Sequence, residues 1–256
     1  MRIAAEFVTR VGCALKCHFC PQDKITAVYT DQKRVLTVED FELMTDKLPP
    51  HVEVHFSGFT EPLLNPKCGE MALRAYGKGF KLHLYTTLMG LTKDQGILFS
   101  ACEFEHVRIH VPDIKFFVVP EDKWIANHEI WKLLKKPSTY MTMGALSDNV
   151  RSYVMSNNLS VEYPQMLSRG GNLGWTAPDR PILGPLTCQA ERWHMNVVLP
   201  NGDVVLCSMD YSMQMPVGNL LRDSYDQIYE RCETYREDGH PPADSPCRSC
   251  EWSRPI

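Results

Sequence analysis

The sequence predicts an α/β protein, in which a partial (open) TIM-type barrel of about six βα units precedes a small C-terminal unit of a β-hairpin and a helix. Apolar alternation and helical periodicity take turns from Ile3 to about residue 166, which is the pattern of repeated βα units. About six units are fewer than the eight that close a barrel, so an open barrel is expected. The boundary is predicted so that residues 1–178 form the barrel and residues 179–256 form the C-terminal unit.

The predicted strands of the barrel follow in order as Ile3–Thr9, Val52–Ser57, Lys81–Thr87, Val107–Val111, Tyr140–Met143 and the weaker Ser160–Tyr163. Thr37 and Asp40 form the pattern of a capped helix start before an apolar helical face. In the C-terminal unit, Asn201-Gly202-Asp203 is a turn between two short apolar runs, and a helix is predicted from Ser224 to Arg236.

In the first four predicted strands, one face is polar and the other is apolar. The apolar faces must pack beneath the helices, so the polar side chains should face the barrel lumen, where a polar ligand could bind them. A register error of one residue would invert this assignment. The polar set is Glu6, Glu53, His55, Ser57, His83, Tyr85, Thr87, Arg108 and His110.

Composition narrows the class of protein. The chain has 256 residues and a net charge of −4, which argues against a nucleic-acid partner. The sequence has no apolar run near 18 residues and no signal-like N-terminus, so no membrane association and a cytoplasmic location are expected. Ten cysteines in a cytoplasmic chain suggest metal binding rather than disulfides.

Cys13, Cys17 and Cys20 provide the most specific motif, with the spacing Cys-x3-Cys-x2-Cys directly after the first strand. Three thiolates can hold three irons of a [4Fe–4S] cluster and leave the fourth iron open to a ligand. Zinc is the alternative, but zinc usually takes four ligands with cysteines paired two to four residues apart. The motif therefore favours an iron–sulfur cluster with an open iron.

This motif resembles that of the radical S-adenosylmethionine superfamily, with an implied partial-barrel fold. The resemblance implies that the open iron binds S-adenosylmethionine and that its reductive cleavage yields a 5′-deoxyadenosyl radical. Phe19, just before the last cysteine, would pack near the adenine. Ser57, Gly58, Thr60 and Glu61 resemble the family's Gly-Gly-Glu-Pro motif, which holds the methionine ammonium, although Phe59-Thr60 replaces the second glycine region.

Further site residues follow from the same resemblance. Thr87 stands where relatives carry the asparagine of a Tyr-Thr-Asn segment, and His110 and Asp113 are expected as ribose or substrate ligands. Ser168-Arg169-Gly170-Gly171-Asn172 is similar to a Ser-Arg-Ala-Gly-Asn segment whose arginine reaches the active site. A glycine turn at a domain boundary, with a solvated arginine, is the alternative interpretation.

A second cysteine group lies near the C-terminus and consists of Cys188, Cys207, Cys247 and Cys250. Four thiolates can close one cluster, although two cysteines plus Cys-x2-Cys could also build a zinc ribbon. With the first motif present, the segment resembles the SPASM/twitch group, and its end at Ile256 favours the shorter twitch type with one auxiliary [4Fe–4S] cluster. The remaining cysteines, Cys68, Cys102 and Cys232, are expected in the core.

The layout resembles that of twitch-type aminocyclitol dehydrogenases. The leading hypothesis is a radical S-adenosylmethionine oxidoreductase that abstracts hydrogen from a small polar substrate, a carbohydrate or cyclitol, with the auxiliary cluster accepting an electron. The predicted catalytic residues are Arg169, Tyr85, His110 and Asp210. A flavodoxin- or ferredoxin-type protein would donate electrons. The alternatives are a ribosomal-peptide-modifying enzyme, a redox-neutral epimerase or dehydratase, and a non-enzymatic iron–sulfur electron carrier.

Overall fold

The computed structural model describes residues 3–15, 17–165, 167–173 and 181–256. Six parallel strands form the barrel in sequence order, which confirms the predicted partial barrel. Every predicted strand is present. The fourth and fifth strands begin one residue earlier than predicted and also end earlier, whereas the other four are shorter at both ends. The barrel strands are β1 (Ala4–Phe7), β2 (Glu53–Phe56), β3 (Leu82–Thr86), β4 (His106–His110), β5 (Thr139–Met141) and β6 (Val161–Glu162).

Helices connect these strands and cover the outer face of the sheet. Several begin at residues whose hydroxyl accepts a backbone N–H bond, as Thr37 does from Asp40 at 3.1 Å, so the predicted cap is confirmed. The barrel helices are α1 (Gln22–Val28), α2 (Val38–Thr45), α3 (Cys68–Gly77), α4 (Lys93–Ser100), α5 (Glu121–Leu133) and α6 (Asp148–Ser156). Apolar residues of β2, β3 and β4 pack beneath them with Cys68 and Cys102 in one continuous core.

The C-terminal segment extends the barrel sheet. Its elements are β7 (Leu186–Cys188), β8 (Met195–Val198), β9 (Asp203–Val205), β10 (Pro216–Asn219), α7 (Tyr225–Asp238) and β11 (Ser253–Pro255). Strand β8 pairs in parallel with β1, from Ala4 opposite Met195 to Phe7 opposite Val198, and β9 and β10 continue the sheet in antiparallel order. The sheet therefore has nine strands in the order β10-β9-β8-β1-β2-β3-β4-β5-β6. The sequence did not predict the β1–β8 pairing.

The predicted hairpin turn is present, with Gly202 at φ +88°, and helix α7 begins with a capping box between Ser224 and Gln227. The predicted boundary between residues 178 and 179 lies outside the described residues. Within the described part of the chain, no helix is both long and apolar enough to cross a membrane.

The loop after β3 packs closely against the turn that follows β2. Gly90 has φ +98°, and a Cβ there would lie 2.3 Å from the Leu63 carbonyl oxygen. Gly79 has a similar φ of +85°, but a Cβ there would meet nothing within 4 Å. Substituting alanine at each position therefore distinguishes the energetic cost of a left-handed backbone from the cost of a steric clash.

We expect Gly79→Ala to lower the free energy of unfolding by about 1–2 kcal/mol, the cost of a left-handed residue with a Cβ. Gly90→Ala should lower it by about 3–5 kcal/mol, because the clash with Leu63 is added to that cost. Thermal unfolding of each variant under anaerobic conditions, followed by circular dichroism, measures both losses of stability. Equal midpoints for the two variants would contradict the close packing at Gly90.

Candidate active site

A cavity of about 440 Å³ opens where the barrel strands end, a size typical of small-molecule sites. Its wall combines the cysteine loop, the polar side of the barrel strands and two stretches of the C-terminal segment. Most of the sequence-predicted site residues meet here. Those that line it are Cys13, Cys17, Phe19, Cys20, Ser57, Gly58, Thr60, Glu61, Tyr85, Thr87, His110 and Arg169.

The cysteine loop leaves β1 and is fixed by Gln22, the first residue of α1. The Gln22 side chain accepts a bond from the Cys13 backbone N–H at 3.3 Å and donates to the Cys20 sulfur at 3.6 Å. The same amide also donates to the Phe59 carbonyl oxygen, beside the turn after β2. Gln22 therefore holds two of the cysteines against the neighbouring turn, a role that no sequence motif indicated.

The three thiols of this loop are half-buried and close enough to repel one another when ionised. Burial, together with Cys20 and Cys13, raises the pKa of Cys17 to about 12. Without a cation, such thiols stay protonated, and a bound metal reverses this because it stabilises the thiolates. The donor set therefore fits a cluster held by three cysteines.

The turn after β2 presents Glu61 to the cavity. Its side chain is 5 % exposed, and its Oε2 atom accepts bonds from the Thr87 backbone N–H at 2.6 Å and from the Thr87 hydroxyl at 2.7 Å. Its Oε1 atom accepts a bond from the Thr86 hydroxyl at 2.6 Å. Burial raises the pKa of Glu61, although these bonds oppose the effect. Thr87 therefore positions Glu61 from within the cavity wall.

The polar side of the strands faces the lumen, as predicted. Glu6, His55, Tyr85, Arg108 and His110 line the cavity, and the Ser57 hydroxyl donates to Glu6 at 2.9 Å. Burial, assisted by the nearby charges of Arg169 and Arg108, lowers the pKa of His110 to about 3. His110 is therefore a neutral hydrogen-bonding group at physiological pH and a weak base.

Arg169 lies over the ring of Phe19, with 5.1 Å between its guanidinium carbon and the ring centroid. Its backbone is left-handed at φ +55°, followed by Gly170 and Gly171 at φ +66° and +78°. A Cβ on Gly170 would lie 2.9 Å from Met209, so only glycine permits this approach to the C-terminal segment. Arg169 lines the cavity, as the sequence predicted.

Glu251 fastens the Arg169 loop to the C-terminal segment. Its Oε2 atom accepts bonds from the Ser168 hydroxyl at 2.5 Å and from the Gly170 backbone N–H at 2.9 Å. Its Oε1 atom is buried with no hydrogen-bond partner among the described residues, and the side chain lines the cavity. Glu251 directly follows Cys250, so this carboxylate connects the second cysteine group with the Arg169 loop.

The second cysteine group forms its own pocket, lined by Cys188, Cys207, Cys247 and Cys250. Burial, followed by the proximity of Cys207, Cys250 and Cys188, raises the pKa of the Cys247 thiol. Four converging thiols fit a cluster or ion that has no open position. Arg192 and Met209 line this pocket and the larger cavity alike, so the two sites share a wall.

Two predicted site residues do not line the cavity, Asp113 and Asp210. Asp113 accepts bonds from the backbone N–H groups of Lys115 at 2.8 Å and Phe116 at 2.5 Å, and from the Thr142 hydroxyl at 2.9 Å. Asp210 borders the second pocket, where its carboxylate accepts the backbone N–H of Met215 at 2.7 Å. Both carboxylates are engaged with nearby loops rather than directed at the cavity.

The α/β fold of the chain is an open barrel, and it carries a three-thiol loop and a four-thiol pocket. Together these features are those of an iron–sulfur enzyme. Residues 7–146 match the family described as the Radical SAM superfamily, and residues 188–251 match SPASM, an iron–sulfur cluster-binding domain. The chain belongs to the radical SAM superfamily and to its SPASM/twitch group. Its cofactors are S-adenosylmethionine, a radical SAM [4Fe–4S] cluster and an auxiliary cluster.

Solved structures support the same fold. BtrN in complex with AdoMet and 2-DOIA matches with a TM-score of 0.67 and 14 % identity, over 100 % of this chain and 94 % of that one. The structure of anSMEcpe with AdoMet and the Cp18Cys peptide matches with a TM-score of 0.61 and 15 % sequence identity. The match covers 98 % of this chain and 87 % of that one. The structure of SuiB of Streptococcus suis, bound to the precursor peptide SuiA, matches with a TM-score of 0.60 and 10 % sequence identity. The match covers 98 % of this chain and 70 % of that one. No curated protein sequence matches significantly.

We expect about eight irons per chain after anaerobic reconstitution, and about four in the triple variant Cys13→Ala, Cys17→Ala, Cys20→Ala. The double variant Cys247→Ala, Cys250→Ala should also retain about four. Cys102→Ala, a substitution in the core, is the matched control and should keep all the iron. Iron and sulfide analysis makes the measurement, and about four irons in the wild type would contradict two cubic clusters.

We expect Asp113→Asn to lower the free energy of unfolding by about 2–4 kcal/mol, because its charge-assisted bonds are lost. Burial raises the pKa of Asp113, but its accepted bonds outweigh burial and leave the pKa below its usual value. The stabilisation is therefore present at neutral pH and is lost as pH falls through this lowered pKa. The difference in melting temperature between wild type and variant should shrink accordingly at acid pH.

Asp94→Asn, at an exposed helix start, is the control and should change the melting temperature little. A loss of S-adenosylmethionine affinity in Asp113→Asn without a change in melting temperature would instead restore the direct ligand role that the sequence predicted.

Proposed function

We propose that this protein is a radical S-adenosylmethionine dehydrogenase that oxidises an alcohol of a small polar substrate, a carbohydrate or cyclitol. The shared wall formed by Arg192 and Met209, between the polar cavity and the four-thiol pocket, is the observation that carries the proposal. A redox group beside the substrate is useful when the reaction must remove electrons as well as hydrogen.

In this proposal Cys13, Cys17 and Cys20 hold the first cluster, and Cys188, Cys207, Cys247 and Cys250 hold the auxiliary one. Phe19 lies beside the adenine, and the turn from Ser57 to Glu61 binds the methionine ammonium, since a buried carboxylate favours a cation. When bound, these groups supply a 5′-deoxyadenosyl radical that abstracts a substrate hydrogen and an acceptor for the one electron that remains. Thr87 and Asp113 act indirectly, by positioning Glu61 and the loop after β4.

The chain's own polar groups orient the substrate. Tyr85 and His110 on neighbouring strands and Arg169 on its loop line the cavity, and each can hydrogen-bond to a substrate hydroxyl. Oxidation of a secondary alcohol removes one hydrogen atom from carbon, one electron, and the hydroxyl proton, and a C=O bond forms. The low pKa of His110, near 3, makes it a hydrogen-bond partner rather than the proton acceptor. Asp210 supports the auxiliary pocket instead of contacting the substrate.

Electrons for the first cluster would come from a flavodoxin- or ferredoxin-type donor in the cytoplasm. Such a donor is needed because each cleavage of S-adenosylmethionine begins with a one-electron reduction.

Peptide modification is the second candidate. Two of the similar structures, anSMEcpe and SuiB, hold peptides, and they share this fold over 98 % of the chain. A redox-neutral epimerisation or dehydration would use the same radical step without net oxidation. The mass of the product separates these outcomes.

The test uses reconstituted enzyme, S-adenosylmethionine, dithionite and a panel of carbon-deuterated cyclitols and sugars, with 2-deoxy-scyllo-inosamine as the first probe. We expect deuterium in 5′-deoxyadenosine together with a product that has lost two hydrogens. Cys247→Ala, Cys250→Ala should still transfer deuterium, but its oxidised product should fall at least about tenfold, because the electron acceptor is missing. Mass spectrometry reads both products.

Cys102→Ala serves again as the control and should retain both products. A product of unchanged mass that carries solvent hydrogen would indicate epimerisation, and loss of water would indicate dehydration. If the enzyme modified a peptide but no polyol in the panel, the result would contradict alcohol oxidation and support peptide modification.

A further inference from the structure

A second polar cluster lies in the barrel lumen, and its residues belong to neither cysteine group. Glu53 and His55 are two residues apart on β2 and therefore share a face of the sheet. His83 on β3 pairs directly with His55 across the two parallel strands. The register of β2 and β3 thus brings one carboxylate and two imidazoles together, at the start of the strands and beneath the cavity.

The three side chains converge on one point. The Glu53 Oε2 atom lies 3.1 Å from His55 Nε2 and 3.3 Å from His83 Nε2. One ligand atom from each residue lies within 4.8 Å of the other two. The imidazole rings are 4.3 Å apart, and the His55 and His83 side chains are only 1 % and 5 % exposed.

This donor set is that of a transition-metal site. Neutral imidazole nitrogens and a carboxylate oxygen are preferred ligands of Zn²⁺ and Fe²⁺, and two histidines with one glutamate form a known catalytic zinc combination. Imidazole binds a metal ion in its neutral form. Burying the same groups without a cation costs desolvation energy, which a metal ion would offset.

We propose that Glu53, His55 and His83 bind one divalent transition-metal ion at the floor of the barrel lumen. Glu53 is partly exposed, with 21 % of its side chain accessible, and this gives the ion a path from solvent. Tyr85 and His106 pack beside the site, with the Tyr85 ring 6.0 Å from His55 and the His106 ring 6.3 Å from His83. They would orient the ligands from outside the metal shell.

Three protein ligands leave a fourth position for water or a substrate oxygen. His55 lines the cavity, so this position lies near the space where the substrate would bind. The metal site does not depend on the proposed dehydrogenation, because its ligands belong to neither cysteine group.

The test measures metal in the full-length, anaerobically reconstituted protein, incubated with Zn²⁺ and then freed of loosely bound metal with a chelator. Zinc is the probe because it exceeds Fe²⁺ in affinity for nitrogen and oxygen sites. We expect about one zinc per chain, with nitrogen and oxygen ligands at about 2.0–2.1 Å in the zinc X-ray absorption spectrum. His83→Ala and the conservative Glu53→Gln should each bind zinc at least about tenfold more weakly.

His51→Ala, which removes an exposed histidine just before β2, is the matched control and should keep its zinc. Unchanged iron and sulfide content in His83→Ala and Glu53→Gln would show that the variants fold. The proposal is overturned if the wild type binds no zinc, if the zinc has sulfur ligands, or if both variants bind zinc as tightly as the wild type.

Discussion

Strand β1 is the element on which both parts of the molecule depend. It has only four residues, all buried, and it pairs in parallel with β2 on one side and β8 on the other. The cysteine loop leaves the carboxyl end of β1. The C-terminal residues that line the cavity include Arg192 and Met195 near the start of β8 and Met209 after β9, so they belong to the segment that pairs with β1. The C-terminal segment is therefore held beside the cavity by backbone hydrogen bonds.

The Arg169 loop makes further hydrogen bonds between the barrel and the C-terminal segment. Glu251 accepts bonds from Ser168 and Gly170, and Asn172 donates to the Met209 carbonyl oxygen at 2.7 Å. Lys24 of α1 in turn donates to Asn172 at 3.1 Å. The loop thus connects the helix after the cysteine motif with the segment that carries Cys250.

Much of the barrel could be predicted because its information is local. Alternation of polar and apolar residues places His55 and His110 in the lumen, while Val54 and Ile109 pack in the core. The pairing of β1 with β8 could not be predicted in this way, since it joins residues about 190 positions apart and depends on no local motif.

The site residues also differ in whether a local sequence pattern identifies them. The cysteines and Glu61 could be found because fixed spacing encodes their chemistry. Asp113 was assigned to the site because it follows the fourth strand, and Asp210 because it lies three residues after Cys207. The carboxylates of both accept the N–H groups of their own loops. Gln22 and Glu251 were missed because each acts through partners that only the folded chain brings near.

The register of the sheet also divides the lumen into layers with different chemistry. Glu53 and His55 on β2, and Ser57 directly after it, point to the same side at intervals of two residues, about 7 Å apart, from the floor of the barrel to the cofactor turn. A slip of one residue would move all three to the helix side and bring Val54 and Phe56 into the lumen. The packing that buries Val54 and Phe56 therefore also positions the polar groups. The apolar core and the chemistry of the lumen are two results of one strand register.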